Sequence, residues 1–312
     1  MKVTQVLYGL ATFIPGVVPI FGRGGGGTKS ARYCYSVWMR HLVATFESGL
    51  WTNPKSVAEL GPGDSLGVGL AALVSGVEKY DAFDVVKHAQ VKQNEATLEE
   101  IIALFRQRAA IPGEDEFPEV RPNLTSYAFP GHILTETILA AALEESRLGR
   151  IRESVRRPNV PGAMIAYRTR YFDESAIERD SIDLLYSQAV LEHVDDLVGA
   201  YRAMRLWLKP GGVISHEIDF RCHNTAHDWN GHWKYSDRLW TLIRGKRYYL
   251  LNREPCSRHL QLMADNGFDL ARTRQEKLAS RLAKGDLAPR FRQISDDDLT
   301  TCTAHLLGVK RP

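Results

Sequence analysis

The feature that most constrains the fold of this chain is a glycine turn that follows a short apolar stretch at residues 57–60. Gly61 and Gly63 let the backbone turn sharply and leave no Cβ in the way of a ligand. A second apolar stretch, at 80–85, carries Asp84, about 20 residues beyond the turn, where nucleotide-binding folds place a carboxylate against ribose hydroxyls. The segment predicts a strand, a turn, a helix and a second strand that together bind a nucleoside.

The glycine spacing separates two kinds of nucleoside cofactor. Dinucleotide sites use G-x-G-x-x-G, in which the helix N-terminus faces a pyrophosphate. Here the next glycine is Gly67, one position late, and Asp64 places negative charge where the pyrophosphate would lie. A cofactor that has no phosphate and carries a cationic sulfonium would not be repelled. The turn alone leaves open an ordinary strand-turn-helix corner without a ligand.

A second landmark lies at residues 180–218. Residues 180–188 predict an apolar strand that opens onto a short loop, and apolar positions from Leu197 to Leu208 have helical spacing. The Lys-Pro-Gly-Gly sequence at 209–212 ends that helix, because proline cannot continue it and glycine suits the turn beyond. Residues 213–218 predict a further strand.

Four segments together resemble the class I S-adenosylmethionine-dependent methyltransferases, over residues 55–90 and 160–220. They are Glu59-x-Gly61-x-Gly63, Asp84, Ser-Gln-Ala-Val-Leu-Glu-His-Val at 187–194 and Leu-Lys-Pro-Gly-Gly at 208–212. The resemblance implies an α/β fold: a Rossmann-like, mainly parallel seven-stranded sheet with helices on both faces, plus helical additions. Residues 267–270 and 302–309 would form its last, antiparallel pair. It also implies methyl transfer from S-adenosyl-L-methionine.

The resemblance implies the cofactor-binding residues as well. In this family the first motif lines the methionine and ribose, the acid after the second strand holds the ribose hydroxyls, and the loop after the fourth strand runs beside the sulfonium. The matching positions here are Glu59, Gly61, Gly63, Ser65, Leu66, Asp84, Gln188, Ala189 and His193. One departure concerns adenine, whose amino group an acid after the third strand often accepts. The predicted third strand, 163–167, is followed by Arg168-Thr169-Arg170 instead, which leaves the adenine contact unassigned.

A polar stretch with four histidines follows the fifth predicted strand, at residues 216–233. Open α/β sheets bind ligands at this edge, and the resemblance implies that it faces the transferable methyl group. A hydroxyl acceptor needs a base, and histidine serves near neutral pH. His216, Asp219 and His223 are the predicted catalytic residues, with a polar surface loop as the alternative. Asp219, His223 and His227 match no metal-ligand spacing, so no metal is predicted.

Length and composition are consistent with an enzyme that has one α/β core plus additions, or two domains. The chain has 312 residues, 44% of them hydrophobic, and a net charge of +3, which argues against an electrostatic nucleic-acid binder. Four cysteines without any C-x-x-C pair indicate a reducing cytoplasm and no structural zinc. We predict an N-terminal region at 1–50 and a methyltransferase domain at 51–312. Within the domain lie a helical insertion at about 91–160 and a substrate-capping segment at about 220–260.

The N-terminal region begins with an uncharged, mainly apolar stretch at 3–22 that contains Pro15 and Pro19. Prolines inside it argue against a membrane-spanning helix, and it lacks a convincing signal-peptide cleavage site. Two interpretations remain: packing on the enzyme's own surface, or a shallow contact with a membrane surface. A glycine-rich stretch at 22–28 then predicts either a flexible linker or the hinge of a lid. Residues 30–42 predict a helix that either forms this lid or presents a solvated charged face. Arg40 of that lid could meet the methionine carboxylate.

The insertion predicts helices at 97–106 and 133–150, separated by a proline-rich stretch at 111–130. Five arginines form a local basic run, Arg147, Arg150, Arg152, Arg156 and Arg157. Glu144, Glu145 and Glu153 lie among them and could pair with them on a solvated helix face. The alternative is a patch that binds phosphate or nucleic acid.

The expected acceptor is a small-molecule hydroxyl, on a sugar, a lipid-linked intermediate or a natural product. Relatives that methylate base or amide nitrogens often carry Asn or Asp, two prolines and an aromatic residue after the fourth strand. Residues 187–190, Ser-Gln-Ala-Val, contain none of these. The alternatives are an RNA methyltransferase that uses the arginine run and a cofactor-binding scaffold without turnover. Oligomeric state stays open.

Overall fold

The computed structural model describes residues 3–14, 27–50, 53–169, 173–247 and 249–312. Seven strands form one sheet in the order β3-β2-β1-β4-β5-β7-β6. The strands are β1 Ser56–Leu60, β2 Lys79–Phe83, β3 Ile165–Arg168, β4 Ile182–Gln188, β5 Leu208–Asp219, β6 Phe268–Lys277 and β7 Thr301–Lys310. All neighbouring pairs are parallel except those that β7 makes with β5 and β6. The predicted seven-stranded, mainly parallel sheet with an antiparallel closing pair is confirmed.

Helices cover both faces of this sheet. The described residues form α1 Val3–Ala11, α2 Ala31–Glu47, α3 Gly67–Val74, α4 Val91–Arg106, α5 Glu136–Ala142, α6 Glu145–Arg156, α7 Leu197–Trp207, α8 Asp237–Arg244, α9 Cys256–Asp265 and α10 Asp296–Thr300. Val57 belongs to an apolar core with α2 to α6, whereas the next residue, Ala58, belongs to a second core with α7 and α9. Successive side chains of a strand point to opposite faces, so the two cores define an α2 face and an α7 face.

The parallel register brings three predicted site segments to one edge of the sheet. Leu60, the last residue of β1, pairs with Phe83 at the end of β2 and with Ser187 near the end of β4. The glycine turn, Asp84 and the loop after β4 each follow directly. These segments therefore meet at the carboxyl edge, as expected for ligand sites in open α/β sheets.

The insertion departs from the predicted helices. The single helix expected at 133–150 is two helices, α5 and α6, because Glu144 is extended between them (φ −58°, ψ 133°). The break lets the side chains of Leu148, Ile151 and Val155 turn into the α2-face core. It also buries Arg147, whose guanidinium donates to Val77 O. The helix breaks at Glu144 because this face of α6 is buried, and periodicity alone does not reveal that burial.

Helix α2, predicted as a lid, is part of the core. Trp38 is fully buried, and its Nε1 donates to Ser75 Oγ at 2.9 Å. Arg40 is fully buried as well, and it donates to the carbonyl oxygens of Pro112, Val120 and Pro122. Its guanidinium is thus bound by the insertion and is not free to meet a cofactor carboxylate. The predicted hinge at 22–28 lies outside the described residues except for its last two.

We predict that Gly69→Ala destabilises the protein, because a Cβ at this position of α3 would lie 2.0 Å from the buried ring of Tyr80. Overpacking of this kind typically costs about 1–3 kcal/mol. Gly149→Ala in α6 is the matched control, since its Cβ would meet no atom within 4 Å and alanine favours helix by about 0.5–1 kcal/mol. Urea unfolding followed by circular dichroism measures both. Equal stability of the two variants would contradict the packing described for α3.

Candidate active site

The glycine turn lies in close contact with the loop after β4. Gly61 and Gly63 have φ of +68° and +73°, a conformation that residues with a Cβ rarely adopt. A Cβ on Gly61 would lie 2.5 Å from Cγ2 of Val190, which belongs to the loop after β4. Gly61 N also donates to Phe83 O at 2.8 Å. The glycines therefore permit the turn and the loop after β4 to touch.

Asp84 lies beside this turn, as predicted. Its Oδ2 accepts from Gly63 N at 3.2 Å, and its Oδ1 accepts from Val85 N at 2.7 Å. Burial raises the pKa of the Asp84 carboxyl, while these backbone hydrogen bonds oppose the shift. A carboxylate oxygen has two lone pairs, so the Asp84 carboxylate can accept further hydrogen bonds. These acceptor oxygens fit a pair of ribose hydroxyls.

Glu59 lies beneath the turn. Its carboxyl is buried on the α2 face, where the hydroxyls of Tyr80 and Tyr186 both donate to Oε2. Burial raises the pKa of Glu59 to about 8, although both tyrosines oppose the shift. The structure thus places this candidate in a neutral, buried network that supports the turn from below.

Ser65 and Leu66 lie at the start of α3. Thr28 Oγ1 donates to Pro62 O and accepts from Ser65 N, both at 2.9 Å. Leu66 N donates to Asn94 Oδ1 at 3.0 Å. Thr28 and Asn94 thus fix the turn, and the sequence did not reveal them because single polar residues outside a motif carry no signal.

The loop after β4 is strained and well connected. Ala189 has φ +52°, which is unusual for a residue with a Cβ, and its N–H donates to Glu217 O at 2.9 Å. Gln188 Oε1 accepts from His41 Nε2 at 3.2 Å. Burial, together with the nearby His223, lowers the pKa of His193 to about 4. Strained residues of this kind cluster at functional sites.

Two of the three predicted catalytic residues lie together at the end of β5. His223 Nε2 donates to Asp219 Oδ2 at 3.1 Å, and Arg221 donates to both oxygens of the same carboxylate. Burial alone would raise the pKa of Asp219, yet hydrogen bonds from His223 and Arg221 hold it well below its usual range. The rings of His223 and His193 are 5.2 Å apart, so this pair borders the loop after β4.

His216 lies elsewhere. It is three residues before Asp219 on β5 and therefore points to the opposite, α7 face. There it is fully buried, with Nδ1 2.8 Å from Ser187 Oγ, and burial lowers its pKa to about 3. The structure thus separates this candidate from Asp219 and His223.

Two further polar side chains, Glu192 and Arg168, lie near this edge of the sheet. Within the part of the chain that the structure describes, neither carboxyl oxygen of the buried Glu192 has a hydrogen-bond partner. Arg168, where the family often has the adenine-binding acid, pairs with Asp81 and lies over the ring of Phe83. Arg170 lies outside the described residues. Glu192 belongs to the predicted motif at 187–194, but its burial cannot be inferred from the sequence.

Comparison with known proteins finds a family model that matches part of this chain. Residues 125–215 match a family model described as a methyltransferase domain. That match spans β3, β4 and the first part of β5. The glycine turn, Asp84 and the loop after β4 lie together at one edge of the same sheet. The chain therefore contains a methyltransferase domain, and its motifs resemble those of the class I S-adenosylmethionine-dependent enzymes. No curated protein matches its sequence.

Solved structures similar to this chain are distant in sequence. They include S-adenosylmethionine-dependent methyltransferases from Methanosarcina mazei (11% identity, 85% of this chain and 97% of that chain, TM-score 0.45) and from Mesorhizobium loti (12%, 84% and 94%, 0.42). A third is Haemonchus contortus phosphoethanolamine N-methyltransferase 2, in complex with S-adenosyl-L-methionine (15%, 99% and 57%, 0.44).

We predict that Asp84→Ala weakens S-adenosylmethionine binding by about tenfold or more, because hydrogen bonds to a charged group typically contribute about 1.5–3 kcal/mol. Asp64→Ala, in the same turn, is the control and should bind within about twofold of the wild type. Isothermal titration calorimetry measures both, and thermal unfolding checks that each variant is folded. Unchanged binding by a folded Asp84→Ala variant would exclude Asp84 as the ribose anchor.

Proposed function

We propose that this methyltransferase methylates a hydroxyl group of a small-molecule acceptor, with the Asp219–His223 pair as the base. The observation that carries the proposal is the 3.1 Å hydrogen bond between these side chains at the carboxyl edge of β5. A carboxylate that orients an imidazole is a recurrent general-base arrangement. Amine acceptors are already nucleophilic when neutral, whereas a hydroxyl gains most from a base.

The hydrogen bond between His223 and Asp219 determines which ring nitrogen of His223 acts as the base. Since His223 Nε2 donates to Asp219, the neutral imidazole carries its lone pair on Nδ1. That nitrogen takes the acceptor's proton while the acceptor oxygen attacks, and the Asp219 carboxylate stabilises the imidazolium that forms. S-adenosylmethionine, when bound, supplies a methyl group on a cationic sulfonium. Most of the rate enhancement then comes from holding the reacting atoms in line, up to ~7–11 kcal/mol in well-oriented cases.

The arginine run supports a small acceptor rather than RNA. Arg152 pairs with Glu99 and Glu145, and Arg156 pairs with Glu95. Arg147 is buried. Paired and buried arginines leave less positive charge for phosphates than the sequence run alone suggests.

We predict that His223→Gln lowers kcat about 10²- to 10⁴-fold, the usual contribution of a general base. His227→Gln, in the same polar stretch, is the control and should retain activity. The assay follows transfer of labelled methyl to a panel of sugar, lipid-linked and natural-product hydroxyls. Loss of S-adenosylmethionine binding in His223→Gln would assign this residue to the cofactor instead, and full activity would exclude it as the base.

A second proposal concerns the N-terminal helix, which we infer docks on an anionic membrane surface. One side of α1 packs on α8, where a Cβ on Gly9 would lie 1.9 Å from Leu242 O. The other side exposes apolar side chains, including Leu7 (58%) and Leu10 (45%). No acidic residue precedes Glu47 in the sequence, and Lys246 lies over the ring of Phe13. An apolar helix face bordered by cations is typical of interfacial helices.

None of the described helices is long and apolar enough to cross a bilayer. We therefore expect surface binding: co-sedimentation with phosphatidylcholine–phosphatidylglycerol vesicles should fall at least about tenfold in Leu7→Glu/Leu10→Glu. Leu270→Glu/Leu278→Glu is the matched control, because those leucines are similarly exposed (50% and 46%) away from α1. Equal binding of both double variants would overturn the proposal.

A further inference from the structure

A cavity of about 330 Å³ lies on the α2 face of the sheet, where residues 121–125 cross β5, β6 and β7. The Arg121–Glu276 ion pair and the hydrogen bond from Arg274 to Asn123 O hold the crossing segment in place. Charged or polar side chains that line the cavity include Arg121, Glu217, Arg274, Glu276, Thr303 and His305. Three of these, Glu217, Thr303 and His305, are buried.

A chain of hydrogen bonds through the core fixes the proton of His305. Gln188 Oε1 accepts from His41 Nε2, so His41 Nδ1 carries no proton and accepts from Ser215 Oγ at 2.6 Å. Ser215 Oγ in turn accepts from His305 Nε2 at 3.0 Å. Burial lowers the pKa of both imidazoles, so both are neutral at pH 7. His305 Nδ1 is therefore a bare acceptor, and no described residue donates to it.

Glu217 faces the same cavity from the position opposite His305 in the β5–β7 ladder. Thr303 Oγ1 donates to Glu217 Oε1 at 2.5 Å, whereas Oε2 has no partner in the described ranges. Burial raises the pKa of Glu217 to about 8, although Thr303 and Arg121 oppose the shift. At pH 7 the carboxyl is mainly protonated, so Oε2 presents an unpaired O–H donor.

The two unpaired groups define what fits between them. Cβ atoms directly opposite in an antiparallel ladder lie about 4.5–5.5 Å apart, so one ligand group can reach both. That group must donate to His305 Nδ1 and accept from Glu217 Oε2, which a hydroxyl does with a single oxygen. Buried polar atoms without partners are costly, and such a hydroxyl would satisfy both at once.

We propose that this cavity is the acceptor subsite, and that it binds a neutral polyol or sugar-like part of the acceptor through His305 and Glu217. The inference rests on the proposed function, since it takes the acceptor to carry hydroxyl groups. The cavity adjoins the loop after β4, because Glu217 pairs in register with Gln188 and its carbonyl accepts from the next residue of that loop.

The subsite also lies on the same side of β5 as the proposed base. Asp219 is two residues beyond Glu217 and therefore points to the same face. Arg221, which holds Asp219, also pairs with Glu119, just before the segment that crosses the cavity. A polyol held by one hydroxyl in the cavity thus directs a neighbouring hydroxyl toward Asp219 and His223.

The test is a titration of the full chain, labelled with ¹⁵N-histidine, with myo-inositol and methyl α-D-glucopyranoside as probes. Both polyols should shift the His305 Nδ1 resonance saturably, because its lone pair gains a donor. His259, which is buried on the α7 face and bonded to Tyr201, should not shift. Acetamide and propylammonium are the comparison probes for carboxamide and cationic ligands.

Two matched substitutions test the assigned donor. Glu217→Leu removes it and should weaken polyol binding about tenfold to a hundredfold. Glu217→Gln keeps an N–H donor on the same side chain and should bind within about threefold of the wild type. His305→Phe removes the acceptor and should match Glu217→Leu. Circular dichroism and S-adenosylmethionine calorimetry establish that each variant is folded and keeps its cofactor site.

The outcomes separate this proposal from the proposed function. A His305 resonance unmoved by polyols, or moved only by acetamide or propylammonium, overturns the subsite even if hydroxyl acceptors are methylated. So does an unchanged KM for a hydroxyl acceptor in His305→Phe. Saturable polyol binding that Glu217→Leu removes supports the subsite, and it does so even if no hydroxyl is methylated, in which case the proposed function alone fails.

Discussion

The parallel pairing of β1 with β2 and β4 is the constraint on which the rest of this structure depends. Because parallel strands end at a common edge, it places the glycine turn, Asp84 and the loop after β4 side by side. The contact between Gly61 and Val190 then locks the turn to that loop. A larger residue at Gly61 would separate the parts of the candidate site, whatever the other side chains did.

The α2 face carries an unusually polar interior for the middle of a sheet. Glu59, Glu217 and His305 are all buried there, and burial shifts each toward its neutral form. Neutral groups in a low-dielectric interior make strong, directional hydrogen bonds but cost free energy when left unpaired. A network of this kind is expected where ligand recognition, rather than stability, selects the residues.

Local sequence patterns predicted the strands and the edge of the sheet at which the candidate residues lie. They failed where distant segments decide which side chains are buried. Helix α2 has the aromatic and basic residues of a lid, yet Trp38 is buried with Ser75 as its partner. Arg40 is buried because the insertion supplies carbonyl partners 72 to 82 residues away in the chain. The break at Glu144 has the same origin, since it follows from packing on the sheet. His216 is the simplest example. Strand alternation shows that His216 and Asp219 point to opposite faces of the sheet, but it does not show which of them lies near His223.

The sequence by itself determined the class of this protein, because glycine turns, strand-ending acids and helix-stopping Pro-Gly pairs are local signals that act within a few residues. It also determined Asp84 and the Asp219–His223 region as candidates, since strand ends mark the functional edge of the sheet. Only the tertiary structure decided which polar side chains are buried and unpaired, among them Glu192, Glu217 and His305. Burial and hydrogen-bond partnership depend on residues far apart in the chain, and no local pattern encodes them.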